Sequence, residues 1–371
     1  MIHLNGVTKI YKNNESPAVD NLDLHITRGE TCILVGPSGC GKTTTMKMIN
    51  RLVTPTQGTI LINGQDNREM NPVEMRQNIG YVIQEIGLFP HMTIADNVAT
   101  VPREKKWPEK KIQTRVDELL HLVGLDPAEY RNRKPASLSG GQRQRVGVAR
   151  ALAADPDILL MDEPFGAVDP ITRTHLQNQF LRLQEELKKT VVFVTHDIDE
   201  AIKMGDTIAV MREGHLIQLD SPDQILSEPK DDFVSALIGG NRAIKRLNLV
   251  KTREVIDNMP IQTLRTNSPV DTARKLLITS QLPAMPVVDE NNRLIGVVQK
   301  HILSALKEQA EIADIMEKNG CVVDKGATLG DALSTMLNYG ERYVIIVDEN
   351  YSPCGIISFT YLLELMKNDV A

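Results

Sequence analysis

The chain has 371 residues, too many for one ordinary hydrophobic core, so two or three domains are expected. Hydrophobic residues at 42% and charged residues at 24% are globular values, which argue against a disordered or fibrous chain. The net charge of −6 implies no basic face, so composition gives no support to a nucleic-acid partner.

The four cysteines (Cys32, Cys40, Cys321 and Cys354) lack metal-ligand spacing and fit a reducing, cytosolic setting. The opening stretch MIHLNGVTKIYK has no apolar signal core, and no apolar run reaches the roughly 18 residues of a membrane span. The chain is therefore not expected to cross a membrane itself.

Residues 2–30 alternate apolar and polar positions in two runs, which predicts an antiparallel strand pair with a turn at Asn13-Asn14. Tyr11 ends the first run. It reads either as a half-buried strand aromatic or as a face for stacking a base. Residues 31–44, TCILVGPSGCGKTT, join a β-branched strand to a helix through Gly36-x-x-x-x-Gly41-Lys42-Thr43. That spacing makes a phosphate-binding loop: glycines let successive N–H groups point into one concavity, and the helix dipole adds to it. Lys42 supplies a point charge for phosphate oxygens, and the Thr43 hydroxyl suits Mg²⁺.

The helix continues over Met46–Leu52 and ends before Pro55 and Gly58; GTILING (58–64) reads as a strand and tight turn. IGYVIQ (79–84) is a buried strand that delivers the amide of Gln84 to its end. Pro90 forces an irregular path through 87–98. The charged segment PREKKWPEKK (102–111) reads as solvated, and 112–123 repeat apolar residues at helical spacing.

LSGGQRQRVGVARALAADP (138–156) is a second constellation. Ser139 suits a helix N-cap, and Gly140-Gly141 leave that terminus open to an anion. Two anion sites in one chain suggest two copies sharing nucleotides. ILLMDEP (158–164) is an apolar strand ending in two carboxylates, an expensive placement unless a cation compensates. Asp162 suits Mg²⁺ and Glu163 suits polarising an attacking water. A long helix follows FGAVDP (165–170), and TVVFVTHD (190–197) is another buried strand that brings His196 to the same sheet edge.

In this order, these pieces resemble the ATP-binding subunit of ABC transporters over residues 1 to about 238. The likeness rests on the phosphate loop, Gln84, LSGGQ at 138–142, ILLMDE at 158–163, Ala167-Val168-Asp169 and His196, with Val168 where leucine is usual. The resemblance implies a P-loop NTPase α/β domain (1–240) with a helical subdomain at about 86–157. It implies a head-to-tail dimer holding two ATPs, each between one copy's phosphate loop and the other's Ser139, Gly141 and Gln142. The implied ATP contacts are Gly36, Ser38, Gly39, Gly41, Lys42, Thr43, Thr44 and Asp169, with Tyr11 stacking on adenine. Thr43, Gln84 and Asp162 would hold Mg²⁺, Glu163 would be the catalytic base, and His196 would place the γ-phosphate and water. The partners implied are two integral permease subunits and, indirectly, an external substrate-binding protein, which puts the chain at the cytoplasmic face of the membrane. A non-transport ABC protein acting on DNA or ribosomes would normally carry two cassettes or a coiled-coil insertion, and neither is seen.

Residues 241–252 hold several basic side chains and read as a linker. Beyond them lies an internal repeat, SPVDTARKLL with MPVVDENNRLIGVV, then TLGDALSTML with VIIVDENYSPCGII. Each copy opens on a capping-box pattern, Ser268/Asp271 and Thr328/Asp331. The repeats resemble a tandem CBS module of α+β type, at 253–308 and 309–371. Where such modules carry a Ser/Thr and an acidic residue for adenine nucleotides, this chain has Gln299 and Ile302, then Ser358 and Tyr361, so ordinary AMP or ATP binding is not expected. An ABC ATPase with such a tail is similar to the importers of glycine betaine, carnitine or choline, some of which are inhibited by cyclic di-AMP. On that resemblance Arg342 and Tyr343 are candidates to pair with a phosphate and stack on a purine. Ionic strength is the alternative signal.

Overall fold

The computed structural model describes the chain apart from residues 13–15, 84–86, 167, 257–260, 281, 306–310, 319 and 368–371, and the side chains of 171, 175, 278–280, 304, 305 and 367. It divides into two units, Met1–Ile238 and Gly239–Ala371.

In the first unit, alternation produces β1 (Ile2–Lys9) and β2 (Val19–Ile26), which pair antiparallel with Ile2 opposite Ile26 and Lys9 opposite Val19. The turn expected at Asn13-Asn14 lies outside the described residues. β3 (Thr31–Val35) and α1 (Lys42–Ile49) come next. β4 (Gln57–Ile62) then pairs with the other side of β1, and β5 (Gln65–Asp66) completes a sheet in the order β2-β1-β4-β5. β1 is thus an interior strand rather than half of an isolated hairpin.

After α2 (Pro72–Gln77), β6 (Ile79–Val82) enters a second sheet. Four helices then make the helical subdomain: α3 (Ile94–Glu104), α4 (Glu109–Leu122), α5 (Pro127–Tyr130) and α6 (Gly140–Leu152). The chain returns through β7 (Ile158–Asp162), α7 (Pro170–Leu187), β8 (Thr190–Thr195), α8 (Ile198–Met204), β9 (Thr207–Arg212) and β10 (His215–Asp220). Two short helices, α9 (Pro222–Ser227) and α10 (Asp232–Ile238), close the unit. The second sheet runs β10-β9-β3-β8-β7-β6, parallel from β9 to β6. β3, β7 and β8 are buried at every residue, as unbroken apolar strands covered on both faces should be. Met46, Met48 and Ile49 of α1 join the two sheets in one core with Leu4, Leu24 and Ile60 on one side and Leu34, Leu160 and Val192 on the other. As parallel neighbours, β3, β8 and β7 all end at one edge, where a doubly wound sheet binds its ligands.

In the second unit, the stretch expected as a basic linker is largely helical. α11 (Arg242–Leu247) and α12 (Thr252–Ile256) bury Leu247 and Ile256 in a core with Leu329, Met336 and Ile346. One buried leucine or isoleucine per short helix is enough to dock it, a signal that charge counting overlooks. β11 (Leu264–Arg265), α13 (Val270–Ser280), β12 (Ala284–Val288), β13 (Leu294–Gln299) and α14 (Lys300–Ala305) form the first repeat. α15 (Ile312–Ile315), β14 (Val322–Asp324), α16 (Leu329–Tyr339), β15 (Tyr343–Val347), β16 (Pro353–Ser358) and α17 (Phe359–Lys367) form the second. In both, a short strand pairs parallel with the middle strand, which pairs antiparallel with the third. Thr328 and Asp331 close the expected capping box on α16. Ser268 behaves differently: its Oγ accepts from the Arg265 N–H at 2.9 Å, and α13 begins two residues later.

The repeats exchange their leading segments. A Cβ on Gly355 of β16 would lie 2.6 Å from Cγ2 of Ile256, the end of α12. A Cβ on Gly296 of β13 would lie 2.8 Å from the carbonyl oxygen of Glu317, just beyond α15. Each glycine therefore admits the segment that precedes the other repeat. Tyr343, expected as a ligand-stacking residue, is 2% exposed. β15 is buried on both faces, and Tyr343 points with Ile345 and Val347 into a core shared with Ala284 and Val297 of the first repeat. It offers no face to an outside ligand in this conformation, whereas its neighbour Arg342 is exposed.

Candidate active site

The phosphate loop leaves β3 at Gly36 and enters α1 at Lys42. Gly36 has φ 150°, and a Cβ there would lie 2.1 Å from the Met211 carbonyl oxygen. Gly41 has φ 106°, and its Cβ would lie 2.5 Å from the Ala18 carbonyl oxygen. No other residue fits either place, so the loop is pinned at both ends while Ser38 and Gly39 stay exposed at its crown. Lys42 is nearly buried and folds back on the loop, its Nζ donating to the carbonyls of Gly36 at 2.6 Å and Pro37 at 2.9 Å. A phosphate oxygen would take over this ammonium at little cost in side-chain movement.

The second sheet brings the acidic pair to the same loop. The Thr43 hydroxyl donates to Asp162 Oδ1 at 3.2 Å. Asp162 is 4% exposed. Burial raises its pKa, the Thr43 hydrogen bond opposes that, Glu163 adds to it, and Lys47 and Lys42 again oppose it. A desolvated carboxylate beside a hydroxyl is a hard oxygen donor set short of positive charge, which fits Mg²⁺. Glu163 sits at φ 45°, a left-handed conformation that a glutamate adopts only where its surroundings enforce it. Its N–H is held by the Val194 carbonyl at 3.0 Å, and its Oε1 lies 3.0 Å from Nδ1 of His196. Tyr11 remains partly exposed, its hydroxyl 3.5 Å from Thr44 Oγ1 and its ring carrying Lys9 Nζ at 5.2 Å.

Three contacts, Thr43 to Asp162, Glu163 to His196 and Tyr11 to Thr44, therefore lie on residues adjacent in sequence, 43–44 and 162–163. The second constellation is built separately. Ser139 caps α6 in a reciprocal box with Gln142: the Gln142 N–H donates to Ser139 Oγ at 3.2 Å and the Ser139 N–H to Gln142 Oε1 at 2.9 Å. Gln142 Nε2 donates in turn to the Tyr130 hydroxyl at 3.1 Å. Asp169 caps α7 by accepting from the Thr172 N–H at 3.0 Å, and Val168 lies beside Gly141, 3.7 Å from where its Cβ would be. Gln84 and Ala167 lie outside the described residues.

Residues 19–166 match the family model described as ABC transporter, and residues 252–308 and 312–368 each match the CBS domain model. The glycine betaine/carnitine/choline transport ATP-binding protein OpuCA of Bacillus subtilis is 45% identical over all of this chain and 97% of its own length. The chain belongs to the ATP-binding subunits of ABC transporters. It is accordingly an ATP-binding protein and an ATPase coupled to transport. The osmoprotectant import ATP-binding protein OsmV of Salmonella typhimurium is also 45% identical, over 99% of this chain and 97% of its own. Among solved structures, the dimeric post-hydrolysis state of the ATP-binding cassette MJ0796 bound to ADP and Pi is 35% identical, with a TM-score of 0.56 over 60% of this chain and 99% of that one. No helix among the described residues is long and apolar enough to cross a membrane.

Sequence reasoning passed over Glu200 and Gln177, which are buried beside this site. The available signal was a carboxylate at Glu200 at the start of α8, directly before the buried pair Ala201 and Ile202.

Proposed function

We propose that this chain is the motor subunit of an importer for quaternary-amine osmoprotectants, working as a head-to-tail dimer beneath two permease subunits at the cytoplasmic face of the membrane. The observation that carries the reading is the full-length likeness to betaine, carnitine and choline transport ATP-binding proteins, tail included. The geometry supplies the motor. Backbone N–H groups of the loop between Ser38 and Thr43 and the freed Lys42 ammonium hold the β- and γ-phosphates. Thr43 and Asp162, with Gln84, would hold Mg²⁺, which would neutralise phosphate charge. Glu163 accepts the proton of the attacking water, and His196, 3.0 Å away, fixes that carboxylate and reaches the γ-phosphate. The partner protomer's Ser139, Gly141 and Gln142 cover the same phosphate from the other side, with Asp169 ordering the turn beside them.

The tail is the regulatory unit of this proposal, and cyclic di-AMP is its candidate ligand. Tyr343 would have to leave the core between the repeats to stack on a purine, so Arg342 is the residue left to pair with a phosphate. The test is ATP-driven uptake by membrane vesicles containing the chain with its permease. Labelled glycine betaine, carnitine or choline should accumulate, and cyclic di-AMP on the ATPase side should lower the rate. Uptake of none of the three compounds would overturn the substrate class; uptake indifferent to the dinucleotide would remove it as the signal.

A further inference from the structure

Glu200 and Gln177 are each 7% exposed. Gln177 Nε2 donates to Glu200 Oε1 at 3.0 Å, and Lys203 Nζ donates to Gln177 Oε1 at 3.2 Å. The pair joins two helices that start at the site. Gln177 is on α7, whose cap is Asp169. Glu200 is in the first turn of α8, whose cap is Asp197, the residue after His196; the Glu200 N–H is itself bound by Asp197 Oδ1 at 3.3 Å. Burial pushes the Glu200 pKa up, while hydrogen bonds from Thr195 and Gln177 and the Arg173 charge pull it back against Asp197. Thr195 is the residue before His196. The Glu200 carboxylate is thus tied to Thr195, before His196, and to Gln177 of α7, while the Glu200 N–H is tied to Asp197, after His196, so this one residue links both sides of the His196 turn to α7.

A buried carboxylate is an expensive way to fill space, and a well-packed apolar residue would often be at least as stabilising. What the polar group adds is directional geometry. We infer that Glu200 and Gln177 form a positioning clamp that holds the His196 turn against α7, fixing His196 relative to Asp169. The inference rests on the reading of His196 as a γ-phosphate contact.

A double-mutant cycle on the full-length chain separates the two claims. Glu200→Ala should lower kcat about tenfold or more with ATP affinity unchanged within about twofold, and in a His196→Ala background it should add less than about twofold. Glu200→Gln keeps an acceptor oxygen for Gln177 and should restore most of the rate. If Glu200→Ala does not fold, Gln177→Leu, close to the same volume, enters the same cycle. A wild-type rate for His196→Ala would overturn the His196 reading and the clamp with it. A slow His196→Ala whose rate falls further by the full factor on adding Glu200→Ala would overturn the clamp alone, as would parallel loss of ATP affinity and kcat.

Discussion

Asp162 carries a conflict between stability and function. Its carboxylate is buried at the end of β7, with one hydroxyl donor from Thr43 and a second carboxylate next to it. The shift is upward, so the native state holds a proton more readily than the unfolded chain does. By linkage, nucleotide-free stability from this group is highest below the unfolded carboxylate pKa and falls as pH rises through the higher folded value. Asp162→Asn removes the ionised form and keeps an oxygen for Thr43. It should stabilise the nucleotide-free protein at neutral pH by on the order of 1 kcal/mol, read as a higher melting temperature, while hydrolysis is lost. Calorimetry without nucleotide, paired with a phosphate-release assay, checks both halves; an unchanged or lower melting temperature would mean that Asp162 is already compensated within the protein. Glu163 shows the same economy in its backbone, where a left-handed φ is held by Val194 so that its carboxylate faces His196.

At the scale of elements, the parts that position chemistry are strand ends and helix caps. β3, β7 and β8 are short, wholly buried and parallel, so their ends are fixed in space by the sheet, and α6 and α7 start at capped turns. This much was legible: a short apolar run, ending in Gly, Asp-Glu or His, reads as a buried strand delivering that residue to an edge. The leading helices of the repeats were not legible. α11 and α12 offer one buried apolar side chain each amid basic residues, and what receives Ile256 is the bare backbone of Gly355, far along the chain. Gly355→Ala puts a methyl against the Ile256 side chain, not against a flexible end, and should cost about 1–3 kcal/mol. Hydrogen exchange reads this as faster exchange of β16 and α12 amides with the first unit unaffected; protection unchanged in both elements would show that α12 is not seated there.

For the molecule as a whole, the proposed head-to-tail dimer would let the two constellations complete each other. Thr43 binds Asp162, and the next residue, Glu163, pairs with His196, whereas Ser139 and Gln142 bind each other and Gln142 binds Tyr130. Sequence reads both as candidate anion sites because a glycine-rich helix start is recognisable locally. It could not show that β1 is shared by two neighbours, that Tyr343 faces another repeat, or that Glu200 is tied to Gln177, since each depends on contacts remote in the chain. The assembly proposed here requires ATP to be the glue between copies and Glu163 to be what dissolves it.

Sedimentation of Glu163→Gln with and without MgATP tests that requirement most directly. The account predicts a stable dimer with MgATP, a monomer without it, and hydrolysis at least about a hundredfold below wild type. A chain that stays monomeric with ATP bound, or that hydrolyses ATP at the wild-type rate, would contradict it.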